Sequence, residues 1–363
     1  MPLSAIDSIS PAFQHTKQQL FGPFRVGQWA RLALVGLLAG ELSSGGCNAN
    51  FQVPTRSSGS QHLLIGAALP MANPGLYIGL ILLLVFAGVV LWLLLVYVNS
   101  VFRFILFDSV VAKRCEIRRN WGRRQGPGFR YFVWQILILV AMVMGLAILV
   151  GIPAAFALAI GWLKQPSQHM VPLILGGIVL FFALLVFFVL WLSVYVLTKD
   201  FVIPQMALEN LSALEAWRRL LPMLKTEKGG YAGYIGMKIV MALGAAVVIG
   251  IVASIVILIL LIPVGGLGAV AVLTGKAAGL KWDVFTITLA IVVGSILLAA
   301  IVYAVALISV PAIVFFPAYS IYFFASRYSA LDAILHPAPP APVSTAELPP
   351  EPPPLPPSPE PIG

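Results

Sequence analysis

The chain is 363 residues long, and 60% of its residues are hydrophobic while only 10% are charged. Soluble globular domains carry about 45–50% apolar and about 25% charged residues, so this composition excludes a water-soluble globule. It predicts an all-α protein, a polytopic transmembrane helical bundle. The formal net charge is +9, and the chain has four His and two Cys, so few groups are available for metal or nucleophile chemistry.

The N-terminal residues 1–25 carry Phe13, Leu20 and Phe21 among polar positions, and Gly22 and Pro23 follow. A Gly-Pro pair breaks a helix. We therefore expect an interfacial segment that lies on the membrane surface.

A transmembrane domain is predicted over residues 26–335. A hydrocarbon core of about 30 Å needs about 20 consecutive apolar residues in a helix, because every backbone amide must be satisfied internally. Five segments meet this requirement, at residues 76–98, 131–163, 171–197, 231–262 and 284–310. The second and fourth exceed 30 residues, so we expect them to tilt or bend.

A sixth span is predicted over residues 29–42, although the charge-free run between Arg31 and Glu41 covers only nine residues. Arg31 can snorkel to one headgroup layer, with Trp29 as an aromatic anchor. A re-entrant or interfacial helix is the alternative.

The loops predict the orientation of the chain. Residues 1–31, 99–130 and 199–230 hold three, eight and five Lys or Arg, and Arg327 adds one to the same side. The opposite side has only Arg56, Lys164, Lys276 and Lys281. Because cations are retained in the cytoplasm, both termini are predicted to be cytoplasmic, in the plasma membrane (inner membrane) of a bacterium.

The same map places Cys47 outside and Cys115 inside, where they cannot form a disulfide within one molecule. The run from Leu42 to Cys47 is a poor match to a bacterial lipoprotein site, because Ser44 stands where a large aliphatic residue is required. The outer segment from Leu42 to Pro74 is predicted to be a flexible loop.

An internal repeat follows the spans. In each unit an acid lies at the end of a span, a tryptophan and arginines follow, then two glycines, and a tyrosine opens the next span. The first unit has Asp108, Trp121, Arg123, Gly126, Gly128 and Tyr131. The second has Asp200, Trp217, Arg218, Arg219, Gly229, Gly230 and Tyr231. Two-span units keep one orientation, so a pseudo-symmetry axis along the membrane normal is expected.

A third, partial copy follows the last predicted span. Residues 329–333 echo residues 212–216, and Pro317 echoes Pro204.

The acids Asp108 and Asp200 occupy corresponding positions in the two units. We expect both to have a structural role, capping the following helix or pairing with Arg or Lys on the next unit. Proton or cation coupling is the alternative.

Ser212 and Glu215 form a capping box, which predicts the start of a helix. Apolar residues recur downstream at helical spacing, and cations occupy the other positions. The apolar set is Leu214, Trp217, Leu221 and Leu224, and the nearby cations are Arg218, Arg219, Lys225 and Lys228. This pattern is typical of an amphipathic helix on the cytoplasmic leaflet, facing anionic lipid with its cations.

The loop at residues 113–130 carries a net charge of +6. It is expected to be drawn to anionic lipids, although insertion alone also requires a basic cytoplasmic loop. No nucleic acid partner is expected.

The tail at residues 337–363 contains 13 prolines in 27 residues. Such a composition predicts a disordered polyproline II segment. It is interpreted as a spacer, with docking to a proline-binding protein partner as the alternative.

No recognisable catalytic, cofactor or metal site is present in the sequence. The four His are isolated, no cysteine pair has metal spacing, and no phosphate-loop pattern occurs. Lys238 lies seven residues into a predicted span and is expected to snorkel to the surface. We therefore expect a protein that is not an enzyme and that binds no cofactor.

A resemblance adds to this interpretation. The run from Phe13 to Gly40 with its following glycine-rich loop, the Asp-x-Val-x-Pro motif at residues 200–204 and the Glu-Ala-Trp-Arg-Arg-x-Leu-Pro motif at residues 215–222 resemble uncharacterised bacterial multipass membrane proteins. These are similar to the membrane domain found beside glycerophosphodiester phosphodiesterases. The resemblance covers most of residues 10–335 and implies no activity, because its motifs are structural and the catalytic phosphodiesterase domain is not part of it.

The sequence thus favours a non-catalytic, lipid-facing or partner-facing membrane scaffold. The alternative is a transporter of a small solute or lipid, because repeated two-helix units and glycine-rich spans can pack around a path.

The orientation is testable by cysteine labelling of intact cells. Single cysteines in place of Arg118 and Lys225 are expected to resist a membrane-impermeant maleimide until the cells are lysed, because both positions are predicted to be cytoplasmic. Labelling of either position from outside would overturn this topology.

Overall fold

The computed structural model describes residues 3–22, 24–41, 74–162, 167–277 and 284–337. Within these ranges the regular structure is entirely helical, so the all-α prediction is confirmed. The helices are α1 (Ile9–Phe21), α2 (Val26–Leu38), α3 (Pro74–Val111), α4 (Ile117–Ala159), α5 (Met170–Leu197), α6 (Ile203–Glu209), α7 (Ala213–Thr226), α8 (Lys228–Ala277), α9 (Val284–Ala325) and α10 (Ser329–Leu335). A five-residue π-helix, Thr198–Val202, joins α5 to α6. Cys47 and the outer segment from residue 42 to residue 73 lie outside the described residues, as does the tail from residue 338.

Five of the described helices are long and apolar enough to cross a membrane. They are Ile78–Val111, Ile117–Ala159, Met170–Glu209, Lys228–Ile262 and Phe285–Ala325. The predicted span at residues 29–42 corresponds to α2, which has 13 residues and is therefore about 20 Å long. This is shorter than a core of about 30 Å, and α2 packs against α3 and α9. The predicted span ends at residue 42, outside the described residues, so the sixth span stays a prediction.

The long helices bury little of their apolar length. The most apolar 18-residue windows of α3, α4 and α5 have no buried residue, and those of α8 and α9 are only 6% buried. Lipid tails are as apolar as these side chains, so no hydrophobic force draws such helices together. The exposure of these apolar segments is therefore the pattern expected of a surface that faces hydrocarbon.

Burial is concentrated at one end of the long helices, which we call the packed end. It comprises residues 100–110 of α3, residues 197–207, residues 306–331 and the inner faces of α1 and α2. Its aromatic centre joins the π-helix, α8 and α9, because Tyr234 lies 5.0 Å from Tyr319 and 4.6 Å from Phe323 between ring centroids.

Helix α1 docks onto this packed end through one face, while Phe13 and Phe21 on the other face are exposed. His15 is buried: its Nε2 lies 2.9 Å from the Val110 carbonyl and its Nδ1 lies 3.1 Å from the Tyr322 hydroxyl. Burial lowers the pKa of His15, so the ring is neutral, with Nε2 donating and Nδ1 accepting. The predicted surface segment is thus anchored to the protein by a buried imidazole.

The two repeat units differ in how the stretch between the spans is built. In the second unit, Ser212 accepts a hydrogen bond from the Glu215 backbone amide at 3.3 Å, and α7 begins there as a separate helix. In the first unit, the basic stretch around Trp121 is continuous with the apolar segment in the 43-residue α4. The basic loop expected at residues 113–130 is therefore mostly helical.

The crossing of α3 and α4 depends on Gly128. A Cβ atom at this position would lie 2.7 Å from the Val101 Cγ2 atom and 3.1 Å from the Val101 Cα atom. The second contact is with backbone, so it cannot be relieved by a side-chain rotation. A Cβ at Gly126, two residues earlier, would meet no atom within 4 Å.

We expect Gly128→Ala to lower the free energy of unfolding by about 1–3 kcal/mol, because the added methyl group forces α3 and α4 apart. Gly126→Ala is the matched control, which should be neutral or stabilising by up to about 1 kcal/mol because alanine favours a helix. Unfolding by SDS in mixed micelles measures both variants. Equal effects at the two positions would contradict the close approach.

Candidate functional site

The acid of the first repeat unit, Asp108, is paired with a cation. Arg124 on α4 donates two hydrogen bonds to it, from Nε to Oδ2 at 2.7 Å and from Nη2 to Oδ1 at 2.6 Å. Arg124 Nη1 also donates to the Ala207 carbonyl at 2.7 Å. This bidentate pair joins α3, α4 and α6. The repeat pattern singles out Arg123, which is exposed, and not its buried neighbour.

The acid of the second unit, Asp200, lies deeper. Its Oδ2 atom accepts a hydrogen bond from the Tyr234 hydroxyl at 2.9 Å and another from the Lys238 ammonium. The side chains of Asp200 and Lys238 are 4% and 12% exposed. Lys238 therefore does not snorkel to the surface as expected, because its ammonium is paired with the buried Asp200 carboxylate.

The residue before Asp200 forms a second buried ion pair. Lys199 donates to Glu41 Oε2 at 2.5 Å, across 158 residues of sequence. The Glu41 side chain is 3% exposed, and this residue follows the C-terminal end of α2. The pair joins α2 to the π-helix.

Lys199 and Asp200 are adjacent residues of the π-helix and reach different partners. One pairs with Glu41 and the other with Lys238 on α8. A π-helix widens the helical turn locally, and such turns occur frequently at functional sites.

Arg103 on α3 completes the group. Its Nε donates to the Ala39 carbonyl at 3.2 Å, its Nη1 to the Tyr131 hydroxyl at 3.0 Å and its Nη2 to the Tyr195 hydroxyl at 2.6 Å. A cation at the last carbonyls of a helix satisfies groups that have no partner within the helix and opposes the negative end of the helix dipole. Arg103 thereby fixes the end of α2 to α3, α4 and α5.

We call these five charged residues the charge cluster: Glu41, Arg103, Lys199, Asp200 and Lys238. All five line a cavity of about 40 Å³, together with Pro204, Pro317 and Ser320. The two prolines are the pair matched between the second and third repeat units. A polar cavity of this volume can hold water. With three cations and two carboxylates, the charge cluster has a formal charge of +1.

The remaining residues singled out from the sequence lie around the cluster. Trp121 packs on Phe102, with ring centroids 5.5 Å apart, and Trp217 donates from Nε1 to the Thr198 hydroxyl at 3.2 Å. Arg219 pairs with Glu209, while Arg218 is exposed. None of these side chains lines the cavity.

Sequence reasoning missed Glu41, Arg103 and Lys199 as site residues, because all three were counted only for topology. A usable signal was present, since ionisable residues next to apolar runs of membrane helices are costly and usually mark a site. Arg103 stands between apolar residues in the run from Val101 to Phe107.

Metal binding finds no support in the ranges that the structure describes. Within them, no three His, Cys, Asp or Glu side chains come together in a group that could hold a metal ion.

Residues 3–334 match the model of a family described as a family of unknown function, DUF7544. No curated protein and no solved structure matches the chain. The comparisons therefore show no link to glycerophosphodiester phosphodiesterases, and that part of the resemblance stays a prediction.

The Asp200–Lys238 pair can be tested by a double-mutant cycle. Asp200→Asn is expected to lower the free energy of unfolding by about 3–5 kcal/mol, because it leaves a buried ammonium without its carboxylate. Adding Lys238→Met should recover most of this loss, because the unpaired charge is then removed. SDS unfolding of the two single variants and the double variant measures the coupling. Effects that add within about 0.5 kcal/mol would show that the pair is not coupled.

Proposed function

We propose that this chain, which belongs to the DUF7544 family of unknown function, is a non-catalytic scaffold of the bacterial inner membrane that presents surfaces to lipids or partner proteins. The observation that carries this proposal is the separation of two surfaces. The apolar windows of five long helices face outward, while the ionic contacts lie at the packed end. A protein built in this way offers a long lipid-facing perimeter around a rigid base.

The proposed topology has both termini in the cytoplasm. It is supported by the contacts between the first and last described segments, because the Leu3 amide donates to the Ser326 hydroxyl at 3.2 Å and Arg327 donates to the Leu3 carbonyl at 3.1 Å. Residues 3 and 327 therefore lie on the same side of the membrane. The excess of cations in the loops on that side supports a cytoplasmic location for it.

Ion pairs reinforce this proposed cytoplasmic face. Arg327 donates two hydrogen bonds to Glu227, from Nε to Oε2 and from Nη2 to Oε1, both at 2.7 Å. The arginine lowers the pKa of the Glu227 carboxyl. These contacts join the end of α9 to the turn between α7 and α8, as expected of a base that holds the long helices in place.

A transporter is the second candidate, and the charge cluster is the observation that favours it. Glu41 and Asp200 are acids beside a cavity between membrane helices, which is the arrangement that ion-coupled transport requires. Each carboxylate is nevertheless paired with a lysine. This pairing favours a structural role, because a coupling acid must exchange its proton or ion during the transport cycle.

Flux measurements in proteoliposomes separate the two candidates. We expect no proton uptake above that of protein-free vesicles, reported by an entrapped pH-sensitive dye, and no scrambling of a fluorescent phospholipid. Any flux should be compared with that of Asp200→Asn, which alters the cavity, and Asp108→Asn, which alters an acid outside it. Flux that is lost in Asp200→Asn protein shown by circular dichroism to be folded, and kept in Asp108→Asn, would defeat the scaffold proposal.

A further inference from the structure

A groove lies between α5 and α8, where the charge cluster meets the lipid-exposed parts of these two helices. Its volume is about 520 Å³, within the range of about 300–1,000 Å³ that is typical of ligand sites. Most of its walls are apolar. The lining residues are Val189, Leu192, Ser193, Tyr195, Val196, Lys199, Ile235, Lys238, Ile239 and Ala242.

The groove is polar at one end and apolar at the other. It runs from Lys199 on the π-helix back along α5 to Val189, which is about 15 Å at the rise of a helix. Along α8, Lys238 is followed by Ile239 and Ala242 in the direction of the apolar stretch. The cationic end thus lies at the packed end, and the apolar end points along the membrane helices.

The two lysines at the polar end are shared between the groove and the cavity of the charge cluster. Each ammonium has three N–H donors. Among the described residues, the Lys199 ammonium donates to Glu41 and the Lys238 ammonium donates to Asp200. Each therefore has donors left for a ligand in the groove.

Charge complementarity indicates the kind of ligand. Lys199 and Lys238 are each paired with a carboxylate, so the surplus cation of the charge cluster is Arg103. Arg103 does not line the groove itself, but it donates to the hydroxyl of Tyr195, which does. A buried charge without a counterion is costly. An anion at the polar end of the groove would balance this charge and accept hydrogen bonds from the remaining N–H donors of the two lysines. Neutral headgroups would leave the excess positive charge in place.

We propose that the α5–α8 groove is a binding site for a membrane lipid with an anionic headgroup. The phosphate lies near Lys199 and Lys238, and an acyl chain lies along the apolar walls between Leu192 and Ile239. A soluble anion would satisfy the ammonium groups but leave these walls uncovered. The proposal rests on the scaffold function and specifies which lipid class the scaffold holds.

The first experiment compares two lipids with identical acyl chains on the purified full-length protein. Phosphatidylglycerol carries a net negative charge and phosphatidylcholine is neutral. In native mass spectrometry from detergent containing equal amounts of both, we expect phosphatidylglycerol to be retained in excess. Equal retention of the two lipids would overturn the anionic site and leave the scaffold proposal untouched.

A pair of variants tests the place of binding. Ala242→Trp fills the groove without altering any charged residue, and it should reduce phosphatidylglycerol retention about five-fold or more, equivalent to about 1 kcal/mol. Leu243→Trp is the matched control, because Leu243 is the next residue on α8, is 64% exposed and does not line the groove. Equal retention by the two variants would show that the lipid binds elsewhere.

A charge variant tests the recognition of the headgroup. Lys238→Gln should lower the preference for phosphatidylglycerol over phosphatidylcholine by about five-fold, because one cation near an anionic lipid contributes about 1 kcal/mol. If this variant does not fold, the Ala242→Trp comparison still decides the proposal, because it leaves the ion pairs intact. An unchanged preference in folded Lys238→Gln would overturn the role of the lysine.

Competition with inorganic phosphate distinguishes a lipid site from a simple anion site. Excess phosphate should leave phosphatidylglycerol bound, because the apolar walls contribute to its affinity. Displacement by phosphate would overturn the commitment to lipid. These outcomes are independent of the flux assay, since transport activity would defeat the scaffold function without changing the lipid preference.

Discussion

The charge cluster is the interaction on which the rest of the structure depends. In lipid, apolar helices gain little from packing against each other, and the apolar windows of the long helices are accordingly almost unburied. Their positions are fixed at the packed end, where hydrogen bonds and ion pairs of Arg103, Lys199 and Asp200 connect α3 and the π-helix to α4, α5, α8 and the end of α2. Because a buried charge that loses its partner is strongly unfavourable, these contacts define one arrangement of the helices and disfavour others.

The internal repeat explains why two ion pairs of similar design occur. Asp108 and Asp200 each pair with a cation from the helix that opens the following span, Arg124 on α4 and Lys238 on α8. The two units have nevertheless diverged, because the first pair lies away from the cavity and the second lines it. The tyrosines that open the spans have diverged as well, since Tyr131 accepts from Arg103 and Tyr231 packs against Phe201. The two repeat units thus place one ion pair outside the cavity and the other in its lining, at the candidate site.

The proposed scaffold function and the proposed lipid site rest on the same physical arrangement. Ion pairs hold the long helices together at the packed end, so the spans can separate from each other beyond it. The space between them is then open to the surrounding lipid. The α5–α8 groove is such a space, and it ends at two lysines of the charge cluster. A lipid bound there would contact the residues that position α5 and α8, so lipid composition and helix arrangement would be coupled through Lys199 and Lys238.

The sequence by itself determined the membrane environment, the five long apolar helices, the helix start at Ser212 and the repeat, because these depend on composition, on runs of about 20 apolar residues and on local hydrogen bonds. Only the tertiary structure decided which charges meet. Lys199 and Glu41 are 158 residues apart, and no local pattern distinguishes the buried Arg124 from the exposed Arg123. The sequence indicates how deep a residue lies in the membrane, but the partners of a buried charge are set by how neighbouring helices rotate and cross.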